Sequence, residues 1–433
     1  MNRYICRLFS LNVGEGRKVF QFAILGFLLA LTTTVGIRFS DALFLVNVGS
    51  KALPTIYTYI SYGMIFLAPV LLYCYHKVEA GKIFFTMTSA ILSFYVVAFL
   101  FFQGGSDLGS DWPWYALRVI APLMFYPLTS SFWSFVDQFH HGMDARRLFG
   151  LYGSMLSLGS MATGLIMSLG IHQVQSILLL LIGLLVLLSL VIFQVKRSEK
   201  PAVEEVIEKV EVQGEKLSFF EKITTIFTHK HTRLLVIGNV FALLMWVIAE
   251  YNYMSAFETR FVTDTTENAG ELTKFMGKCY SSISILNVVF GVFIYGRLVR
   301  HLGISSMVLV TPFLFLMTFS GWFFNDAFVF PLMGFMIVEG SYDIVDNSNF
   351  SILLKGTPSK VQAMVRVLTL TMFEPMGMLL SGMMLTYAPM DSRALGMCVA
   401  ACAVAIAMTM RAQLPDKIRF NFSLHFKRLV YGQ

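Results

Sequence analysis

Between Ala327 and Tyr387, two hydrophobic segments joined by the polar turn 355–360 carry ionisable groups where a lipid-spanning helix should have none. In the first, AFVFPLMGFMIVEGSYDIVDNSNFSILL, Glu339, Asp343 and Asp346 follow one another at helical spacing, which predicts a single acidic face on an otherwise apolar helix. In the second, VQAMVRVLTLTMFEPMGMLLSGMML, Arg366 stands near the start and Glu374 sits beside Pro375, a residue that interrupts helical hydrogen bonding. An ionised group at bilayer depth costs at least about 2.5–3.5 kcal/mol, so these side chains should face protein or water and line a transport path.

Cations elsewhere suit an anionic cargo, because a guanidinium fork can bind two phosphate oxygens at once. Arg38, Arg118 and Arg366 are the candidates, with Lys278, and Asn347 is a polar neighbour of Asp346. Arg38 and Arg118 stand near helix ends, where they could instead snorkel to the interface, and Arg366 could equally neutralise Asp343 or Asp346. The acids Asp41, Glu250, Glu339, Asp343, Asp346 and Glu374 outnumber these cations. Burial favours the neutral form of a carboxyl group, so one of them, with Glu339 or Glu374 foremost, could carry a proton through a transport cycle. Asp137, Arg146 and Arg147 read as inner-side ion pairs that hold one state closed. Trp246, Tyr251, Tyr253, Phe132 and Trp133 could clasp an aromatic base, although aromatics make up 15% of the chain and most must serve packing. No His, Cys and carboxylate spacing reads as a metal site, and no glycine loop or paired nucleophile and base reads as an enzyme or cofactor site.

The elements that must position these groups are set by composition. With 56% hydrophobic and 14% charged side chains, the 433-residue chain belongs in a lipid bilayer. Apolar stretches long enough to cross the hydrocarbon recur throughout. They predict about twelve spans, near 18–39, 53–75, 83–103, 113–136, 148–171, 174–195, 233–254, 272–298, 303–324, 327–354, 361–387 and 393–411. Most of the 33 Lys and Arg fall in the two tails and alternate loops, leaving Arg38, Lys51, Arg260, Lys274 and Arg393 on the other side. That asymmetry predicts both termini in the cytoplasm and assigns the net charge of +7 to the membrane, not to nucleic acid. The basic lead-in before the first span has no apolar core of its own, so that span is expected to direct insertion. Cys398 and Cys402, one turn apart, read as small packing residues.

Two six-span halves, 1–195 and 233–433, flank a polar linker at 196–232. Its later part, LSFFEKITTIF, suits either a helix lying on the inner membrane surface or one packed on the bundle. The halves share a signature in which an acid, a basic residue and two glycines recur: Asp137, Arg146, Gly159 and Gly164 in one, and Asp346, Arg366, Gly377 and Gly382 in the other. Such recurrence points to duplication. The stretch GRLVRHLG at 296–303 resembles the short basic loop of the major facilitator superfamily. The implied architecture is an all-α, major-facilitator-like membrane protein.

Three passages resemble the non-mitochondrial ATP/ADP translocases of intracellular bacteria and plastids. They are FWSFVDQ with DARRLFGLYGSMLSLGSMATG, then IAEYNYMSAFETRF with LTKFMG, and more loosely SYDIVDNSNFSILLKG. Glu250 falls where that family has a glutamate in its seventh helix. The family's Lys-Asp pair in the first helix is here RFSDALFL, with Asp41 kept, Ser40 in the lysine's place and Arg38 nearby. Its lysine-rich eleventh helix is reduced to Arg366. The resemblance implies a secondary transporter of a bacterial inner membrane whose partner is a small molecule such as ATP, ADP or another nucleotide. Departures at the phosphate-pairing cations leave two alternatives: a proton-coupled carrier of another solute, and a membrane assembly or sensor protein that has lost transport.

Overall fold

Lipid offers a backbone no hydrogen-bond partners, so an apolar span satisfies its own N–H and C=O groups by becoming a helix. The computed structural model describes residues 15–104, 111–139, 142–171, 173–198, 224, 226–261, 267–357, 365–366 and 368–414. Among these, the chain makes twelve helical passages. In the first half they are α1 (Gly16–Asn47), α2 (Leu53–Lys77, entered through the 3-10 turn Ser50–Ala52), α3 (Ala80–Gln103), α4 (Trp112–Phe139), α5 (Gly142–Ser168) and α6 (Val174–Ser198). After the linker come α7 (Lys230–Phe261), then α8 (Glu267–Val289, π-helical Phe290–Tyr295, Gly296–Leu302) and α9 (Ile304–Phe324). The last three are α10 (Val329–Met336, π-helical Ile337–Asp346, Asn347–Leu354), α11 (π-helical Thr369–Phe373, then Glu374–Tyr387) and α12 (Ser392–Ala412).

Eight of these helices are long and apolar enough to cross a membrane, and α8 makes a ninth if its two arms, bent by 42°, are one span. The remainder of the expected dozen includes α10, which its π-helical stretch divides into short pieces. Bulky side chains such as Phe66, Leu169 and Phe324 are 77%, 72% and 80% exposed, an arrangement stable only against lipid. The protein is a multi-pass membrane protein. Buried hydroxyls are accommodated by bonding back one turn, as Thr32 does to the Leu28 carbonyl (2.7 Å), Ser61 to Tyr57 (2.6 Å) and Ser381 to Gly377 (2.8 Å).

Contacts sort the chain into two compact units, one of residues 1–48, 69–214 and 261–285, the other of 49–68, 215–260 and 286–433. The beginnings of α2 and α8 therefore group with the opposite unit from the rest of their halves. In the first unit, α1 packs on α4, α5 and α6. Its core is aromatic: Phe22, Phe84, Phe132, Phe135, Phe139 and Tyr152 meet at centroid distances from 5.0 Å (Phe135–Phe139) to 6.3 Å (Phe84–Phe132). Phe132, a candidate for clasping a base, is spent on this core.

In the second unit, α9 packs along α12, and Leu235, Met307, Val345, Leu353, Val365 and Met410 form one apolar cluster. Ile226, from the end of the linker, is buried in that cluster, and Phe227 meets the Phe373 ring edge-on at 6.3 Å. That end of the linker packs on the bundle; residues 199–223 lie outside the described residues. The basic stretch at 296–303 is helical to Leu302 and stops at Gly303, whose φ of 74° suits only glycine well. Cys398 and Cys402, expected to pack, lie instead on the exposed side of α12.

The repeated glycines do the same work at corresponding stations. Gly159 lets α5 meet the α1 backbone at Phe27 and Leu31, and Gly377 sets α11 against Val240 and Leu243 of α7. Five residues on, Gly164 meets Gly277 and Ser281 of α8, while a Cβ on Gly382 would stand 2.7 Å from the Thr58 hydroxyl and 2.8 Å from the Pro54 carbonyl of α2. Close approach of this kind is what small residues provide in membranes. Gly382→Val should therefore destabilise the fold by about 1–3 kcal/mol through overpacking. Thermal unfolding of the purified protein checks this, and a melting temperature equal to wild type would show that the helices can separate freely there.

Candidate functional site

Helix α1 runs to Asn47, well past its expected end, so Arg38 and Asp41 lie inside it one turn apart and not at its end. Asp41 is 1% exposed. Arg118 of α4, 4% exposed, brings its Nε to 2.7 Å from Asp41 Oδ1. The N–H is not aimed along that line, so the contact is an ion pair without a formal hydrogen bond. Arg38 Nη1 reaches Asp41 Oδ2 at 3.4 Å, and its guanidinium stacks 4.6 Å over the ring of Tyr280 on α8. Two guanidiniums and a tyrosine face thus converge on one carboxylate within the first unit. Ser40, in the place of the translocase lysine, returns its hydroxyl to the Ile37 carbonyl at 2.6 Å and serves its own helix.

The other expected cations do not join this group. Lys278 and Arg366 are both exposed, so Arg366 supplies no buried counter-charge to Asp346. The side chains of Asp137, Arg146, Arg147, Asp343 and Asn347 lie outside the described residues.

Of the acidic face expected on α10, Glu339 and Asp346 part company, and the side chain of Asp343 lies outside the described residues. Residues Ile337–Asp346 are π-helical, and the wider i→i+5 turn rotates later side chains away from the register an α-helix would give. Glu339 is buried, accepts a hydrogen bond from the Tyr253 hydroxyl of α7 (3.3 Å), and its backbone carbonyl accepts one from Asn287 of α8 (2.8 Å). Asp346 lines a small pocket between α7, α9, α10 and α12 instead. Glu250 is buried in α7 at 2% exposure. Glu374, directly after the π-helical turn of α11, accepts a hydrogen bond from the Asn239 amide at 3.2 Å. Tyr253, the second aromatic with a defined part, packs on Phe257 and Phe335 and holds Glu339.

Sequence reasoning missed Tyr280, Asn239 and Asn287. Asn239 carried a usable signal, as an amide inside the apolar run LLVIGNVFALLMWVI. Tyr280 and Asn287 carried none, because only the packing of α8 sets what they touch.

Removing one partner of a buried ion pair strands the other charge, at about 3–5 kcal/mol. Arg118→Ala should accordingly destabilise the protein strongly, and Arg118→Ala combined with Asp41→Asn should recover much of the loss. The melting temperatures of the single and double variants measure this coupling.

No protein-family model matches the sequence, and no curated protein matches it in sequence. Solved structures do match in shape over nearly the whole chain. The nucleoside transporter NupG superposes with a TM-score of 0.64 at 15% identity, covering 91% of this chain and 98% of that one. The xylose transporter XylE from E. coli, in an inward-open conformation, gives 0.62 at 10% identity, covering 92% and 96%. An auto-inhibited POT family peptide transporter gives 0.62 at 11%, covering 92% and 97%. None of these three is an ATP/ADP translocase. At such identities the likeness speaks for architecture, and the chain has the all-helical fold of major-facilitator transporters.

Proposed function

We propose that the protein is a secondary active transporter of a nucleotide or a related phosphorylated small molecule, working by alternating access. The supporting observation is the buried convergence of Arg38 and Arg118 on Asp41. Guanidinium binds phosphate oxygens in the same forked geometry as a carboxylate, so a phosphoryl group can compete with Asp41 for an arginine. The longer contact, at 3.4 Å against 2.7 Å, makes Arg38 the one that is released, while Arg118 keeps Asp41 neutralised. Tyr280, under the Arg38 guanidinium, would hold that side chain as it changes partner. The fold is shared with the nucleoside transporter NupG, which fits a cargo built on a nucleoside. We place both termini in the cytoplasm on the lysine and arginine asymmetry, and the protein in a bacterial inner membrane on the translocase resemblance.

Proteoliposomes holding the purified protein should take up labelled ATP, ADP or a nucleoside monophosphate, faster with unlabelled substrate inside. Arg38→Ala should lower that uptake on the order of ten- to a hundredfold, the worth of a charge-assisted hydrogen bond, with little change in melting temperature. Absence of uptake across nucleotides and sugar phosphates would overturn the reading.

A second reading, proton coupling, is favoured by the buried pairing of Glu374 with Asn239 next to a π-helical turn and Pro375. A neutral carboxyl there would donate where the carboxylate accepts, reversing the hydrogen bond with Asn239 and giving α11 two arrangements. If so, an inward proton gradient should drive accumulation. Glu374→Gln, fixed as a neutral side chain, should exchange substrate but not accumulate it. Equal accumulation by both proteins would remove the proton from the cycle.

A further inference from the structure

Inside the second unit lies a pocket of about 70 Å³, walled by α7, α9, α10 and α12. Most of its wall is apolar, from residues such as Leu235, Phe350 and Met410, yet three oxygen-bearing groups stand on it from three different helices. From α10 comes Asp346, whose Oδ2 is buried and meets no hydrogen-bond donor among the described residues. From α7 comes Asn239, whose amide nitrogen is committed to Glu374 at 3.2 Å, leaving its carbonyl oxygen as an acceptor. From α9 comes Val308, four residues before Pro312, both of them on the pocket wall. Proline has no N–H to return to that carbonyl, so the Val308 oxygen has lost its helical donor.

The donors around the pocket are otherwise spent. Asn349, also on the wall, accepts from the Tyr295 hydroxyl at 3.0 Å and donates to the Met307 carbonyl at 3.1 Å. Thr311, one turn along α9 from Val308, pairs with the Ser341 hydroxyl at 2.9 Å, and Asp346 Oδ2 keeps no donor among the described residues. No Lys, Arg or His is among the lining residues, and α9 carries no charged residue at all. Other titratable groups stand on the helices around it, including His231, Arg233 and Glu250 of α7, Arg411 of α12, Tyr295 of α8 and Glu374 of α11, none of them on the pocket wall.

We propose that this pocket binds a dehydrated monovalent cation of sodium size, with Asp346 as its charged ligand and the Asn239 and Val308 oxygens completing the shell with water. Hard cations take oxygen donors, and the set here is all oxygen. A single lining carboxylate balances one charge, where a divalent ion would call for more. The volume accommodates an ion and a few waters. As the ion that drives transport, the cation rests on the carrier reading above; as a bound ion, it does not. Because Asn239 shares the pocket wall with Asp346 and hydrogen-bonds Glu374, the ion's arrival would be felt at the π-helical turn of α11.

The test uses the full-length protein in detergent, unfolded thermally in sodium, potassium or choline chloride at constant ionic strength and pH. Sodium at about a hundred times its dissociation constant should raise the melting temperature by on the order of 3 °C or more over choline. Asp346→Asn should abolish that difference and Glu339→Gln should keep it. Should Asp346→Asn fail to fold, radiolabelled sodium binding to the wild-type protein, with competition by lithium and potassium, gives the answer without a variant. Equal melting temperatures in sodium and choline, or stabilisation that follows pH whichever cation is present, overturns the site. Sodium binding without uptake of any phosphorylated solute upholds the site and sinks the carrier reading; uptake with no sodium effect does the reverse.

Discussion

A charge removed from water persists only where the structure supplies an opposite charge or a set of oriented dipoles, and this molecule is arranged around that requirement. Asp41 could not sit at 1% exposure without a cation beside it, and Arg118, at 2.7 Å, is the nearer of two. Their meeting requires α1 and α4 to lie side by side, which the aromatic core around Phe22, Phe135 and Phe139 maintains toward the other end of the same two helices. Glu339 and Glu374 meet the requirement differently, each held by a neutral donor from α7, Tyr253 or Asn239. The first unit thus manages its buried acid with cations and the second with dipoles.

The backbone cooperates through its irregularities. Three π-helical stretches, in α8, α10 and α11, stand beside the ionisable groups of the second unit. A π turn leaves carbonyl groups in need of donors, and Asn287 supplies one to Glu339. Pro312 frees another at Val308. In a bilayer such departures are tolerated only where other groups satisfy the freed backbone, as the Asn287 amide does at Glu339. Glycines act in the opposite sense, removing side chains so that α5 and α11 can come close to their neighbours.

The helical architecture was legible from hydropathy because lipid leaves the backbone no other solution. The glycine repeat was legible because packing two helices closely demands small residues at fixed spacing, and both glycine pairs meet their neighbours at corresponding stations. Arg38, Asp41 and Arg118 were each visible as costly residues in apolar runs. Their union was not, since Arg38 and Arg118 lie far apart in sequence and near where spans were expected to end. Glu339 and Asp346 of α10 were expected on one face and are not: seven residues make two turns of an α-helix but fall well short of two turns of the π-helical stretch between them.

By itself the sequence determined that this chain is a bundle of membrane helices and that its ionisable groups in apolar runs are costly there, because each follows from composition and periodicity alone. Which of those groups meet was decided by tertiary structure only. Arg118 finds Asp41, Tyr280 lies under Arg38, and Asp346 turns to a pocket with Asn239 while Glu339 turns to Tyr253. Such pairings depend on helix rotation and crossing, which the packing of many side chains sets together and which no local stretch of residues encodes.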